Sequence, residues 1–173
     1  MNRPAIAVAL AAMIALAGCS AVLPGDQPAP ESTPTPEEGV AVENRSAGAT
    51  DVNQTLRIDV DDSMAGAELA ELGATYPRDR FAVDAAQHED IALGIDTDGN
   101  GEIDRAFDET HISGVNNNEY SFDITMDTGY TLEAGDTIVL GYPAVSNPDE
   151  PGEYDVEVRV NGQSAATATV TIE

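Results

Sequence analysis

The feature that most restricts the fold is an alternation of apolar and polar side chains, cut at short intervals by turn chemistry. Leu56, Ile58 and Val60 alternate with Arg57 and Asp59. Successive side chains of a strand point to opposite faces, so this spacing sets one face against a core and the other in water. Six more segments read as strands: residues 91–95, 103–107, 120–126, 137–142, 154–160 and 166–172. Between them lie Asp98-Gly99-Asn100-Gly101, Ala134-Gly135-Asp136, Asn147-Pro148 and Asn161-Gly162, residues that favour tight turns. Many short strands with such punctuation predict an all-β fold, an antiparallel β-sandwich. Residues 64–72, behind a cap at Asp62-Ser63, read as one short helix. Residues 55–173 suit one such domain and are too few for two.

Upstream the texture changes. Residues 20–54 hold five of the ten prolines, no aromatic residue and no period of 2 or 3.6. Such a segment buries too little apolar surface to offset its ordering entropy, so residues 19–54 read as a disordered linker. As a flexible coil it would reach roughly 30–35 Å. Asn44-Arg45-Ser46 and Asn53-Gln54-Thr55 fit the N-glycosylation pattern, making Asn44 and Asn53 candidate acceptors.

The amino terminus reads as an address. Met1-Asn2-Arg3 carries one positive charge, and residues 5–17 form an uncharged apolar run. A run of that length is too short to cross a bilayer core of about 30 Å as a helix, but it matches a signal-peptide h-region. It ends in Leu16-Ala17-Gly18-Cys19, followed by Ser20. These residues resemble the lipobox of bacterial and archaeal lipoproteins. The resemblance implies that residues 1–18 are removed and that the Cys19 thiol carries a thioether-linked lipid. A dialkyl lipid would supply the two chains that stable anchoring requires. Membrane contact through Cys19 on the extracytoplasmic face is therefore expected. There is no twin-arginine pair, so the general secretory route is the simpler one. Cys19 is the only cysteine, which leaves residues 20–173 without a disulfide.

Charge constrains the solvent more than the fold. The chain has 32 acidic residues and seven basic ones, all arginine. Residues 55–173 hold 26 acids and five arginines, a net charge of −21. At low salt that density works against a compact state, whereas at 1 M salt the Debye length is about 3 Å and the repulsion is screened. Acids without lysine, a Pro-Thr linker behind a lipobox-like sequence and an Ala/Gly/Val-rich chain resemble haloarchaeal surface lipoproteins. The alternative is acidity that serves a calcium ion or a cationic partner, but the acids are spread from Asp59 to Glu173. Either way a field of this sign repels nucleic acid.

One local pattern carries chemistry. Asp96-Thr97-Asp98-Gly99-Asn100-Gly101-Glu102-Ile103-Asp104 resembles a calcium loop of the EF-hand kind. With Asp96 as position 1, oxygen side chains fall at positions 1, 3, 5 and 9, and Gly101 takes the sharp turn at position 6. Glu102 would offer its carbonyl and Ile103 would pack inward. Hard cations favour such an alternation of oxygens around a glycine. Position 12 is Phe107, where a bidentate acid is expected, and Asp108 comes one residue late. Candidate Ca2+ ligands are thus Asp96, Asp98, Asn100, Glu102 and Asp104. The competing reading is a plain hairpin turn, since Asp-Gly and Asn-Gly serve positions that need φ > 0.

Catalytic patterns are absent. There is no Gly-x-Ser-x-Gly, no His-Glu-x-x-His and no phosphate-binding glycine loop. His88 sits among charged residues and His111 lies near Asp108 and Glu109. Leu132-Glu133-Ala134-Gly135-Asp136, Val145-Ser146-Asn147-Pro148 and Gly152-Glu153-Tyr154 resemble immunoglobulin-like modules of prokaryotic surface proteins. Tyr154, at the start of the penultimate strand, is similar to the tyrosine corner of those sandwiches. The resemblance implies a non-catalytic structural or adhesive module that meets envelope proteins or glycans. The alternative is a lipoprotein that binds a metal or small ligand, with Ca2+ at the 96–104 loop.

Overall fold

The computed structural model describes residues 39–173. Residues 1–38, with the signal-like segment, Cys19 and most of the expected linker, lie outside that range. Eleven strands follow in order: β1 Gly39–Val42, β2 Val52–Asp59, β3 Glu71–Thr75, β4 Ala82–Val83, β5 Ala92–Asp96, β6 Arg105–Phe107, β7 Ile112–Asn118, β8 Ser121–Met126, β9 Thr137–Ser146, β10 Gly152–Val160 and β11 Gln163–Ile172. The only described helices are single 3₁₀ turns at His88–Asp90 and Glu109–His111.

The strands form two antiparallel sheets. One runs β1-β2-β9-β5-β6, with β4 also paired to β9, and the other runs β11-β10-β3-β8-β7. The alternation sends Leu56, Ile58, Leu93, Ile95, Ile138 and Leu140 inward from the first sheet, and Leu72, Phe122, Ile124, Val156 and Val158 inward from the second. These side chains share one buried cluster, so the two sheets pack face to face. At its centre Phe122 of β8 and Tyr142 of β9 stack 3.9 Å apart and nearly parallel. The Tyr76 ring packs 5.0 Å from Phe81 and its hydroxyl donates to Gln54 Oε1 at 2.9 Å. The expected β-sandwich is therefore present, and it is immunoglobulin-like at its carboxy-terminal corner. There Tyr154 donates its hydroxyl proton to the Glu150 carbonyl at 2.7 Å, the geometry of a tyrosine corner.

Asn161-Gly162 turns β10 into β11 with φ of 50° and 72°. Left-handed backbone at both positions matches the twist of a two-residue hairpin. The Asn161 carboxamide also ties the turn to the entry of the neighbouring strand β3. Its Oδ1 accepts from the Ala70 and Glu71 amides, and its Nδ2 donates to the Glu68 carbonyl at 2.8 Å.

Two expectations are corrected. Residues 64–72 form no helix. The Asp61 carboxylate, not the Asp62-Ser63 pair, takes the Ser63 and Met64 amides, and Gly66 at φ 86° ends the turn at once. The chain then pairs with residues 130–132: Leu69 N–H donates to the Tyr130 carbonyl and Leu132 N–H to the Ala67 carbonyl. Among the described residues the sandwich already includes Gly39 and does not wait for Thr55. Residues 39–54, expected as linker, supply all of β1 and the first residues of β2, with Val52 and Gln54 buried. Gln54 is polar, but it points inward because the Tyr76 hydroxyl meets it there.

Candidate functional site

The 96–104 loop joins β5 to β6 and folds back over the outer face of the first sheet. Gly94 of β5 and Arg57 of β2 both pair with Val139 of β9, so the three lie in one row. Ile103 occupies the space above Gly94: a Cβ built on Gly94 would stand 2.3 Å from Ile103 Cγ2. This corrects the expectation that Ile103 packs inward. It is 39% exposed and covers the outer face, and Val139 beneath the loop is buried although it faces out.

The loop is held from within by its own carboxylates. Asp96, at the end of β5, is only 1% exposed. Its Oδ1 accepts from the Gly99 amide and its Oδ2 from the Gly101 amide, both at 2.8 Å. Asp98 Oδ1 accepts from the Asn100 amide and Asn100 Oδ1 from the Glu102 amide. Each oxygen side chain at positions 1, 3 and 5 thus takes an N–H from further along the loop, a favourable local alternative to ladder bonding. The neck closes where Thr97 donates from its amide and its hydroxyl to Asp104 Oδ2, each at 2.8 Å. Those two bonds hold the Asp104 carboxyl below the usual carboxylate range.

Three of the five expected ligands come together. Carboxylate oxygens of Asp96, Asp98 and Asp104 all lie within 4.8 Å of one another. The Glu102 carboxylate is not in that group. Phe107 at position 12 is core: its ring lies 6.1 Å from Tyr130 and 5.5 Å from His111. Asp108 turns away from the loop. It accepts from the Thr110 amide and hydroxyl and sits 2.9 Å from His111 Nδ1, and these contacts, the Thr110 hydroxyl first, hold the Asp108 carboxyl below the usual carboxylate range. His88 is exposed in the first 3₁₀ turn.

Sequence reasoning missed Arg57. Its Nη2 donates to the Gly101 carbonyl at 2.7 Å, and its Nη1 lies 3.8 Å from Asp96 Oδ2. A guanidinium therefore stands beside the most buried carboxylate of the loop. The outward position of Arg57 was readable from the alternation of β2, but its partners lie some 40 residues downstream. A carboxylate has about four acceptor sites, so Asp96 retains capacity beyond the two amides and Arg57. Chemically the arrangement suits a structural cation or a self-closed turn. It presents no nucleophile beside a base.

The two glycosylation candidates differ in setting. Asn44 lies in the exposed loop after β1, whereas Asn53 lies within β2.

No protein-family model matches the chain, and no curated protein does. Among solved structures it is similar to BslA, a bacterial hydrophobin, at 15% identity over 78% of this chain and 94% of that one, with a TM-score of 0.43. It is similar to the pilus 2b backbone protein of group B streptococcus at 14% identity, over 78% of this chain and 56% of that one, with a TM-score of 0.46. It is also similar to an uncharacterized Nocardia farcinica protein with an immunoglobulin-like fold, at 15% identity over 78% of this chain and 96% of that one, with a TM-score of 0.38.

Proposed function

We propose that this chain is a surface lipoprotein: a lipid on Cys19 holds a non-catalytic β-sandwich on the extracytoplasmic face of the membrane, in a structural or adhesive role. The observation that carries this reading is the conjunction of a lipobox-like Leu16-Ala17-Gly18-Cys19 with a sandwich whose first described strand opens only twenty residues later, at Gly39. Twenty residues span at most about 70 Å when extended, so the domain would work close to the membrane. Its interior is filled by side chains of both sheets, with Phe122 stacked on Tyr142. Recognition therefore falls to the outer faces and loops, where proteins or glycans of the envelope would be met. The acidic surface fits an environment rich in salt and opposes nucleic acid.

The test is membrane fractionation with detergent-phase partition. The full chain should enter the detergent phase and be cut by protease added to intact cells, and Cys19→Ser should leave both the membrane and the detergent phase. Equal partition of the two chains into the aqueous phase would overturn the reading.

A second reading is favoured by the carboxylate oxygens of Asp96, Asp98 and Asp104 standing within 4.8 Å of one another. The loop, with Asn100 and Glu102 in its backbone, would hold Ca2+ as a structural ion of the millimolar class typical of extracellular modules. Calorimetric titration of residues 39–173 with calcium tests it. Binding that Asp98→Ala abolishes is the expected result, and no heat at millimolar calcium removes it.

A further inference from the structure

We propose that Asn44 carries an N-linked glycan and that Asn53 does not. The inference rests on the extracytoplasmic placement proposed above. Both residues satisfy the Asn-X-Ser/Thr pattern and both are exposed, so sequence alone treats them alike.

The structure separates them. Asn44, Arg45 and Ser46 are all exposed in the loop between β1 and β2. Asn44 Oδ1 accepts from the Ser46 amide at 3.0 Å, which fixes the carboxamide and brings the third residue of the pattern back towards the first. Asn44 Nδ2 makes no hydrogen bond among the described residues. The loop backbone is pinned from beneath: Asn147 Nδ2 donates to the Asn44 and Ser46 carbonyls, and the Glu173 amide donates to the Arg45 carbonyl. The turn is thus presented on a firm base, with its side chains in solvent.

Asn53 lies in β2, an interior strand flanked by β1 and β9. Its carbonyl accepts from the Glu43 amide. The next residue, Gln54, is fully buried and bonded to the Tyr76 hydroxyl. Thr55 pairs with Ala41 on one side and Gly141 on the other. A transferase must hold all three residues of the pattern at once. Around Asn53 that requires β2 to leave the sheet, and around Asn44 it requires no unfolding.

The transfer balances with one co-reactant, a sugar activated as a glycosyl phosphate ester. Asn44 Nδ2 attacks the anomeric carbon, a C–N bond forms, and the C–O bond to phosphate breaks. The phosphate leaves with the electron pair, and the amide nitrogen gives up one proton to the transferase.

The experiment is mass spectrometry of the full chain recovered from the cells that make it. Peptides containing Asn44 and Asn53 are read in the unaltered chain and in Asn44→Gln, Asn53→Gln and Ser46→Ala. Ser46→Ala keeps the backbone amide that Asn44 accepts from, so it removes the hydroxyl without disturbing the turn. The expected result is sugar on the Asn44 peptide alone, lost fully in Asn44→Gln and in Ser46→Ala and retained in Asn53→Gln. Sugar on Asn53, or a protease-accessible membrane-bound chain with bare Asn44, overturns the proposal while leaving the surface reading intact. A bare chain that never reaches the membrane overturns both.

Discussion

Arg57 and Gly101 are joined by a hydrogen bond of 2.7 Å from Nη2 to the carbonyl oxygen, across 44 residues of sequence. Through it the acid-rich loop is tied to β2, with β9 between β2 and the strand that carries the loop. The same guanidinium is the nearest positive charge to the buried Asp96.

Arg57→Ala should therefore act twice. Losing a hydrogen bond from a charged donor costs about 1.5–3 kcal/mol, so the melting temperature should fall by several degrees. At the same time a charge that competes with a cation is removed, so calcium should bind the variant more tightly than the unaltered domain. Thermal melts with and without calcium check both. An unchanged melting temperature would sink the structural role of Arg57, and equal calcium response in both proteins would sink the competition.

The glycines under the outer-face side chains make a sharper steric test. A Cβ on Gly94 would meet Ile103 Cγ2 at 2.3 Å and the Arg105 carbonyl at 2.7 Å. On Gly73 of β3 it would meet Asp123 Oδ1 at 2.3 Å, where the Asp123–Arg159 ion pair crosses the strand. On Gly141 the nearest atom is Ala92 Cβ at 3.2 Å. Overpacking of this kind costs about 1–3 kcal/mol, so Gly94→Ala and Gly73→Ala should destabilise clearly more than Gly141→Ala. Adding Ile103→Ala to Gly94→Ala should recover part of the loss, and only part, because the Arg105 carbonyl stays. Urea midpoints for the five proteins give the order directly.

The domain boundary gives a third prediction. A chain starting at Thr55 lacks β1, Val52 and Gln54, and leaves the Tyr76 hydroxyl buried without its acceptor. An orphaned buried polar group costs about 1–3 kcal/mol, and losing a buried valine adds about 1.5–3 kcal/mol. Residues 39–173 should melt cooperatively, and residues 55–173 should melt far lower or not fold. Matching melts would return residues 39–54 to the linker.

That boundary shows where the sequence was legible. β2, β8, β10 and β11 announced themselves because buried and exposed residues alternate along them, and β5, β6 and β9 because short segments with apolar residues are bounded by turn residues with a local cause, such as Asp98-Gly99 and Gly135-Asp136. The start of the domain did not, because Gln54 breaks the apolar alternation and its Oε1 finds its donor only on a tyrosine 22 residues on. Residues 64–72 misled because Leu69 and Leu72 are three apart, a spacing that suits a helix as well as a bend leading into β3. β7 was missed because its run of Asn116, Asn117 and Asn118 is exposed and only Ile112 is fully buried. The loop acids were found by pattern, and their counter-charge on Arg57 was not, since nothing local connects the two.

Acid should weaken the closure of the loop. The Asp104 carboxyl is held low mainly by the Thr97 amide and hydroxyl. A carboxyl whose folded pKa lies below its unfolded value, about 3.9 for Asp, stabilises the fold above that value and loses the contribution as pH falls through the folded one. Asp104→Asn should be less stable at neutral pH and show a shallower loss of stability in acid. Denaturant midpoints for both proteins from pH 7 to pH 2 check this, and parallel curves would mean that the Thr97 bonds do not favour the charged form.

At the alkaline end the tyrosines set the limit. The Tyr130 hydroxyl is pushed up to about 12, first by burial and then by its bond to the Asp136 carboxylate. Tyr76, fully enclosed beside Gln54, and Tyr142, the register partner of Gln54 on β9, are raised for the same leading reason. An unfolded tyrosine ionises near pH 10, at about its unperturbed value. The folded chain therefore holds these protons after the unfolded chain has lost them, and stability is intact below pH 10 and falls as pH rises towards the folded values. Tyrosinate absorbance and the β-sheet circular dichroism should change together for Tyr76, because its proton cannot leave until the sandwich opens. Tyr130→Phe should flatten the decline between pH 10 and 12 while lowering stability at pH 7 through the lost bond to Asp136. Ionisation of Tyr76 near pH 10 in a chain that keeps its β signal would mean that water reaches the Gln54–Tyr76 pair, and that the centre of the sandwich is not closed.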